Sequence, residues 1–422
     1  MKPTIIHEPS TLGLRPTFGF GDRIGLATPG HAAAVRNTRF SPVFAQQSPR
    51  ELVRTGRTPE EVLSAARSGV EAVGWCTAWG ADADHLKTEA DAKAMAEAGF
   101  TMFTLDPSDL VAAAADRMGQ SELESGLEGM LRQSGFESRK AFEDRYLGQS
   151  WNLSPELVMR FMDRLHLYRL AYKFGHAIAH AESLARSIQG VCAGRGFELE
   201  FAVDALAGPT SPMEHLFIGL ELRRRKVPIV SFAPRFPGVF EKGVDFLGDL
   251  DVFERSLIGH AAVARYCGPY KLSVHSGSDK FMIYPLLARH CEGMIHVKTS
   301  GTSYLEAMRV IAIAETALFQ EIVQCAMARY AEERLSYAVS ARIDQLPDPL
   351  QLAPGELEIE FLDHAPGRQI MHVSYGAVLS GAQTRSGRPM KDAILEALES
   401  HAALYRDLLE RHLERHLQLL EG

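Results

Sequence analysis

The stretch YKLSVHSGSDKF (270–281) joins two grammars. Residues 270–274 read as a buried strand. His275, Ser276, Gly277, Ser278, Asp279 and Lys280 follow with no apolar residue among them. A strand that leaves the core and at once releases five polar side chains and a glycine fits a βα junction, where α/β enzymes build their sites. Working outward, seven more β-rich runs close on polar, Gly or Pro residues. They are IGLAT (24–28), VEAVGWCTA (70–78), FTMFTL (100–105), FELEFAV (197–203), PIVSFA (228–233), MIHVKT (294–299) and IMHVSY (370–375). Helical patterns such as SPMEHLFIGLELRRRK (211–226) lie between most of them. Strand alternating with helix predicts a parallel sheet. Eight such units predict an α/β fold of the (β/α)8 TIM-like barrel type, with a doubly wound open sheet as the rival. The reading is one barrel domain over 1–422. Residues 107–195, between the predicted strands 3 and 4, form a helical insertion within it.

Bulk properties set limits. The 422 residues carry a formal net charge of −8, with 46% hydrophobic and 23% charged residues. An acidic chain lacks the basic face that nucleic acid requires, although local Lys and Arg can still receive a small anion. The five cysteines are scattered and form no CxxC, which fits neither a disulfide framework nor a thiolate zinc site. No apolar run of membrane length occurs. The expectation is a cytoplasmic protein without membrane or nucleic-acid partners; a homo-oligomer is left open.

Ionisable residues gather at the predicted strand ends. WGADADHLK brings Asp82, Asp84 and His85; Glu198, Glu200 and Asp204 recur at period two; Arg235, His275, His296, Lys298 and His372 lie on or just after later strands. Buried charges cost free energy unless paired or bound to an ion. His85, His275 and His296 are a candidate set for one divalent ion, since neutral imidazoles suit zinc and its neighbours. The alternative is that each merely hydrogen-bonds nearby backbone. In KTSGTSYLEA (298–307) the turn before a helix reads as an anion site or as an ordinary capping box of Ser303 with Glu306, and the two are compatible. GFGDRIG (19–25) has the wrong glycine spacing for a dinucleotide fingerprint, so no nicotinamide cofactor is expected. HAIAH (176–180) lacks the glutamate of a zincin, and ERHLERHLQLLEG (410–422) reads as a charged amphipathic helix with a solvated face.

The blocks HSGSDKF, HVKTSGTSYLEAMRV, SFAPRFPGVFEKGVDFLGDL and VDALAGPTSPMEH resemble the tagaturonate epimerase family, and the resemblance runs over most of the chain. It implies a metal-dependent isomerase of hexuronate catabolism that interconverts D-tagaturonate and D-fructuronate, with a divalent cation of undetermined identity. By matching position, Asp84 resembles the base and Glu200 the second acid/base, while His85, His275 and then His296 resemble the metal ligands. Ala205 stands where a second acidic residue is expected after VD. The chemistry favours cleavage over deprotonation. The two sugar acids differ at C3, which is β to both carbonyl carbons, so no enolate makes its hydrogen acidic. Retro-aldol cleavage between C3 and C4 followed by recombination on the other aldehyde face inverts C3 without that step. Ser276, Asp279 and Lys280 are then candidates for substrate hydroxyls or carboxylate, and Arg235 and Lys298 for the carboxylate. A ketohexose 4-epimerase, such as one acting on tagatose and fructose, and a metal-dependent sugar isomerase or aldolase would use the same residues. A non-catalytic sugar-binding module would not need paired acids beside a metal.

Overall fold

The structure, a computed structural model, describes residues 4–422. Ten strands form: β1 (Thr17–Gly21), β2 (Ser41–Gln47), β3 (Gly80–Leu86), β4 (Met102–Leu105), β5 (Ser150–Ser154), β6 (Leu157–Arg160), β7 (Glu198–Ala202), β8 (Ile229–Ala233), β9 (Lys271–Val274) and β10 (Ile295–Thr299). Eight of them close a parallel barrel in the order β1-β2-β3-β4-β7-β8-β9-β10, and β10 returns to β1 with Thr17 opposite His296 and Gly19 opposite Lys298. Strands β5 and β6 form a separate antiparallel hairpin.

The barrel is the expected one, but three of its eight predicted strands lie elsewhere. Residues 24–28 are a turn running into the helix Thr28–Val35, and β1 precedes them. VEAVGWCTA falls at the end of the helix Pro59–Ala72, started by a Thr58–Glu61 capping box, and in the turn after it. IMHVSY belongs to two consecutive helices, Ala365–Val373 and Tyr375–Leu379, the first with Pro near its start. Their places are taken by β2, which contains Pro42, and by β3, GADADHL. The insertion lies after LDP; because β1, β2 and β3 all precede β4, its flanks, β4 and β7, are the fourth and fifth strands of the barrel. It holds helices Gln120–Gln133, Arg139–Tyr146 and Arg164–Val191 together with the β5–β6 hairpin. Lys173 of its long helix ties it to the barrel, reaching Glu214 at 2.6 Å and Asp116 at 2.7 Å.

Polarity in the barrel wall is inverted. Most barrels of this kind fill their interior with branched apolar side chains. Here Thr17, Asp82, Thr104, Glu200, Ser231, Lys271, His296 and Lys298 are buried on the strands. Their neighbours Phe18, Ala81, Ala83, Phe103, Leu199, Phe201 and Val297 join the apolar core. Gly19 shows how tightly the interior is filled, since a Cβ there would lie 1.7 Å from Gln46 Oε1. Polar atoms packed this closely must satisfy one another.

The helix Ala402–Glu421 closes the outside. It packs against Thr28–Val35 where Gly30 leaves no space, and a Cβ at Gly30 would stand 2.6 Å from Leu409 Cβ and 3.2 Å from the Arg406 carbonyl oxygen. Among the described residues no helix is long and apolar enough to cross a membrane. Gly30→Val should therefore destabilise the protein by about 1–3 kcal/mol through overpacking, despite valine's better helix propensity. Urea unfolding measures this, and an unchanged midpoint would mean that the two helices part freely.

Candidate active site

Lys298 of β10 is the centre of the polar interior. Its ammonium lies 2.7 Å from Asp82 Oδ2, 2.9 Å from Asp84 Oδ1 and 2.9 Å from Glu200 Oε1, and donates to Thr104 Oγ1 at 2.5 Å. Register explains the meeting. Asp82 and Asp84 alternate on β3, Thr104 pairs with Glu200 across β4 and β7, and Lys298 enters from the far wall. Burial alone would discharge these groups. The three carboxylates outweigh it and hold Lys298 well above the usual lysine range. Burial likewise opposes the Asp84 charge, but His85, Lys298 and His275 keep its carboxyl well below the usual carboxylate range.

Two histidines at strand ends point toward one spot. His85 closes β3 with φ 53°, and Ser276, which follows His275, has φ 51°. Non-glycine residues enter this left-handed region rarely, and such strain is characteristic of sites that aim a side chain. His85 Nδ1 meets Asp106 Oδ2 at 3.0 Å, and His275 Nε2 meets Glu200 Oε1 at 2.6 Å. Each carboxylate accepts a hydrogen bond from one ring N–H. That leaves the remaining nitrogens, His85 Nε2 and His275 Nδ1, facing each other at 3.1 Å. Two lone pairs at that distance repel unless a proton or a cation lies between them. Asp84 Oδ1 is 3.8 Å from His85 Nε2, and Asp204 Oδ1 is 3.2 Å from His275 Nδ1.

The donor set fits a divalent ion. One atom each of Asp84, His85 and His275 lie within 4.8 Å of one another. A carboxylate on the second nitrogen of each imidazole is the usual arrangement behind metal-ligating histidines. Five carboxylates, of Asp82, Asp84, Asp106, Glu200 and Asp204, surround one lysine and two imidazoles, an excess of negative charge even with both rings protonated. Glu200 Oε2 is buried without a hydrogen-bond partner. In the absence of an ion, burial opposes the His275 charge, but Asp204 and Glu200 overcome it and raise its pKa to about 10.

The sequence profile of the tagaturonate epimerase family matches residues 3–420. The chain belongs to the tagaturonate epimerase family. A tagaturonate/fructuronate epimerase of Thermotoga maritima is 40% identical over 415 residues, covering 98% of this chain and 82% of the relative. The native crystal structure of a fructuronate-tagaturonate epimerase of Cohnella laeviribosi superposes with a TM-score of 0.90 at 35% identity, over 99% of this chain and 84% of that one. A glycerol complex of the same Cohnella enzyme gives 0.89, again at 35% identity, over 98% and 83%. The family member described here is thus an enzyme of the isomerase class.

Not every residue expected at the site reaches it. The pocket at the barrel mouth is lined by Asp84, His85, His275, Ser276 and Lys298, with Arg23, Gln46, Ser48, Arg50, Glu51, Lys242, Ser300 and Tyr337. Glu200 touches His275 and Lys298 but is fully buried and does not line the pocket. His296 stands apart from the other two histidines. Its Nδ1 meets Thr17 Oγ1 at 2.9 Å and its Nε2 is 3.9 Å from Asp82. Arg235 is not in the lining; its backbone N–H donates to Thr210 Oγ1. Lys280 donates to the carbonyls of Glu241, Val244 and Ser278. Asp279 serves the outer wall, holding Arg368 at 2.8 Å and His412 Nε2 at 2.6 Å, while its backbone N–H donates to His416 Nε2 at 3.0 Å. The helix ending the sequence thus buries His416, where a solvated face had been expected for its polar residues. Asp106, Arg23, Glu51 and Lys242 were not predicted, and the only signal for Asp106 was its place just after a strand. Asp204 stood among the ionisable residues at the predicted strand ends but was assigned no role.

Removing Asp279 leaves the Arg368 guanidinium buried without a carboxylate. Asp279→Ala should cost about 3–5 kcal/mol of stability, the usual penalty for breaking a buried pair from one side. Denaturant unfolding reads the loss, and a change below about 1 kcal/mol would return Asp279 to the substrate side.

Proposed function

We propose that the enzyme interconverts D-tagaturonate and D-fructuronate by retro-aldol cleavage and recombination between C3 and C4, with a divalent cation held by Asp84, His85 and His275. The observation that carries this reading is the contact between Asp84 and Lys298, an acceptor and a donor 2.9 Å apart that line the same pocket. The family relation supplies the substrate pair. Bound there, the cation would supply the positive charge that stabilises an electron-rich carbonyl group.

The side chains account for the proton traffic. Asp84 is kept ionised; its Oδ1 faces both Lys298 and the position proposed for the cation, which leaves Oδ2 for the C3 hydroxyl. It takes the hydroxyl proton as the C3–C4 bond breaks, and the bonding pair passes to the ketone-bearing fragment. The aldehyde at C3 turns over and the C3–C4 bond re-forms on its opposite face. Lys298 then donates a proton to the new C3 alkoxide. The proton on Asp84 passes to Lys298 across their hydrogen bond and restores both groups. Glu200 and Asp106 are positioning residues, fixing the ring orientation of His275 and His85. Thr104, bonded to Lys298, Asp82 and Glu200, keeps the ammonium in place.

Three outcomes follow from this scheme. Epimerisation in heavy water, followed by NMR, should leave the original hydrogen on C3, since only its bonds to carbon and oxygen change; deuterium at C3 would replace cleavage with direct deprotonation. Asp84→Asn should lose about 10²–10⁴-fold in kcat, the usual worth of a positioned base. A variant as fast as wild type would exclude Asp84 as the base. Cation uptake should release protons, because His275 with its raised pKa of about 10 is protonated at neutral pH and must lose that proton to act as a ligand. Affinity for zinc or manganese should accordingly rise with pH between 6 and 9 on the order of tenfold per unit for each proton displaced. Calorimetry in buffers of different ionisation enthalpy counts the protons, and a pH-independent affinity would remove His275 from the site.

A further inference from the structure

The pocket is electrically lopsided. At its inner end Lys298 is surrounded by three carboxylates, which would repel a fourth. At its outer end Arg23, Arg50 and Lys242 face a single carboxylate, Glu51. Arg23 takes that carboxylate at 3.1 Å. Arg50 has only the Ser336 carbonyl at 3.4 Å and the Tyr337 ring at 4.9 Å. Lys242 donates to Ser276 Oγ at 2.8 Å and forms no ion pair among the described residues. Burial pushes Lys242 down to about 8, and Arg50 and Arg23 add to the effect.

The same end receives the start of a long helix. Thr302–Ala314 begins at Gly301 with no side-chain cap, and Ser300 just before it lines the pocket. The Ser303–Glu306 capping box does not form. Ser303 Oγ bonds His31 Nε2 at 2.7 Å, and Glu306 pairs with Arg309 at 3.1 Å. His372, fully buried and with neither ring nitrogen partnered, packs directly on Gly301, where a Cβ would lie 1.9 Å from its Cε1. Unpaired cations beside an uncapped helix N-terminus make a seat for an anion.

We infer that this outer end binds the substrate's carboxylate, and that Lys242 is the residue that distinguishes a sugar acid from a neutral ketohexose. The inference rests on the hexuronate reading above and gives it a recognition element. Scale agrees: Ser276, which holds Lys242, follows His275 directly in the chain, and the carboxylate carbon of a hexuronate is two carbons from the reacting C3. A neutral sugar would leave both cations uncompensated in a partly desolvated pocket. Neither carboxylate partner expected from sequence serves here: Lys298 is ringed by three carboxylates, which repel a fourth, and Arg235 does not line the pocket.

The test compares D-tagaturonate with D-tagatose on the wild-type enzyme, Lys242→Met and Lys242→Arg, by calorimetric binding and by steady-state kinetics. Wild type should bind the acid about tenfold or more tightly than the neutral sugar, as expected for a charge-assisted contact. Lys242→Met should weaken binding of the acid about tenfold and raise its KM by a similar factor, with kcat and tagatose binding changed less than about threefold. Lys242→Arg should recover most of the loss. An acid-to-neutral ratio unchanged in Lys242→Met overturns the inference while leaving the epimerase reading intact if the acid is still turned over. Acid binding that depends on Lys242 without turnover overturns the epimerase reading and keeps the seat. Should Lys242→Met fail to fold, Arg50→Gln on the exposed flank reads the same ratio, with an expected loss of about threefold; no loss there overturns the inference.

Discussion

One buried ammonium organises this barrel. Lys298 stands among Asp82, Asp84 and Glu200. None of the four could remain charged at that depth alone. The carboxylates need the lysine, and the lysine needs β3 and β7 in register with β10. The polar interior, the filled space above Gly19 and the ionised state of Asp84 all follow from that mutual dependence. Because Glu200 also fixes His275, the ammonium reaches beyond its own contacts to the pair of histidines at the barrel mouth.

Geometry and charge divide the pocket into two functions. Strand ends in left-handed conformation aim His85 and the His275–Ser276 turn toward the acidic end, where the groups proposed to react and to hold a cation lie together. Loops and a helix start supply the opposite, cationic end. A substrate with a carboxylate at one end and a ketone near the other can satisfy both. Orientation is then set by charge before any reacting bond is positioned.

The parts of this design that the sequence discloses are those in which polar and large apolar residues alternate. FELEFAV and MIHVKT were legible because Phe, Leu, Ile and Val face the helices while Glu, His and Lys face inward. GADADHL obeys the same rule, but the outward residues flanking its aspartates are only alanines, Ala81 and Ala83, so the strand carrying Asp84 and His85 reads as a loop. SPVFAQQ was obscured by its proline, and IMHVSY misled because β-branched and aromatic residues sit in a buried helix. Of the residues lining the pocket, His275, Ser276 and Lys298 were singled out from strands read correctly, and Asp84 and His85 from their place after a predicted strand that is a helix end. The two-sided use of Asp279 was not, because its partners Arg368, His412 and His416 are 89 to 137 residues away in sequence.

That grip on Asp279 has a consequence for synthesis. The loop that starts at His275 is held by the helix Ala402–Glu421, and the barrel itself closes between β1 and β10, with Thr17 meeting His296 across 279 residues. A chain emerging from the ribosome can assemble the wall from β2 to β9 early. It cannot seat Lys298 until β10 has appeared, nor anchor the Asp279 loop until the final helix has left the exit tunnel. The pocket is therefore finished only after the helix Ala402–Glu421 has emerged, and a nascent chain still lacking that helix carries the pocket's residues without their support.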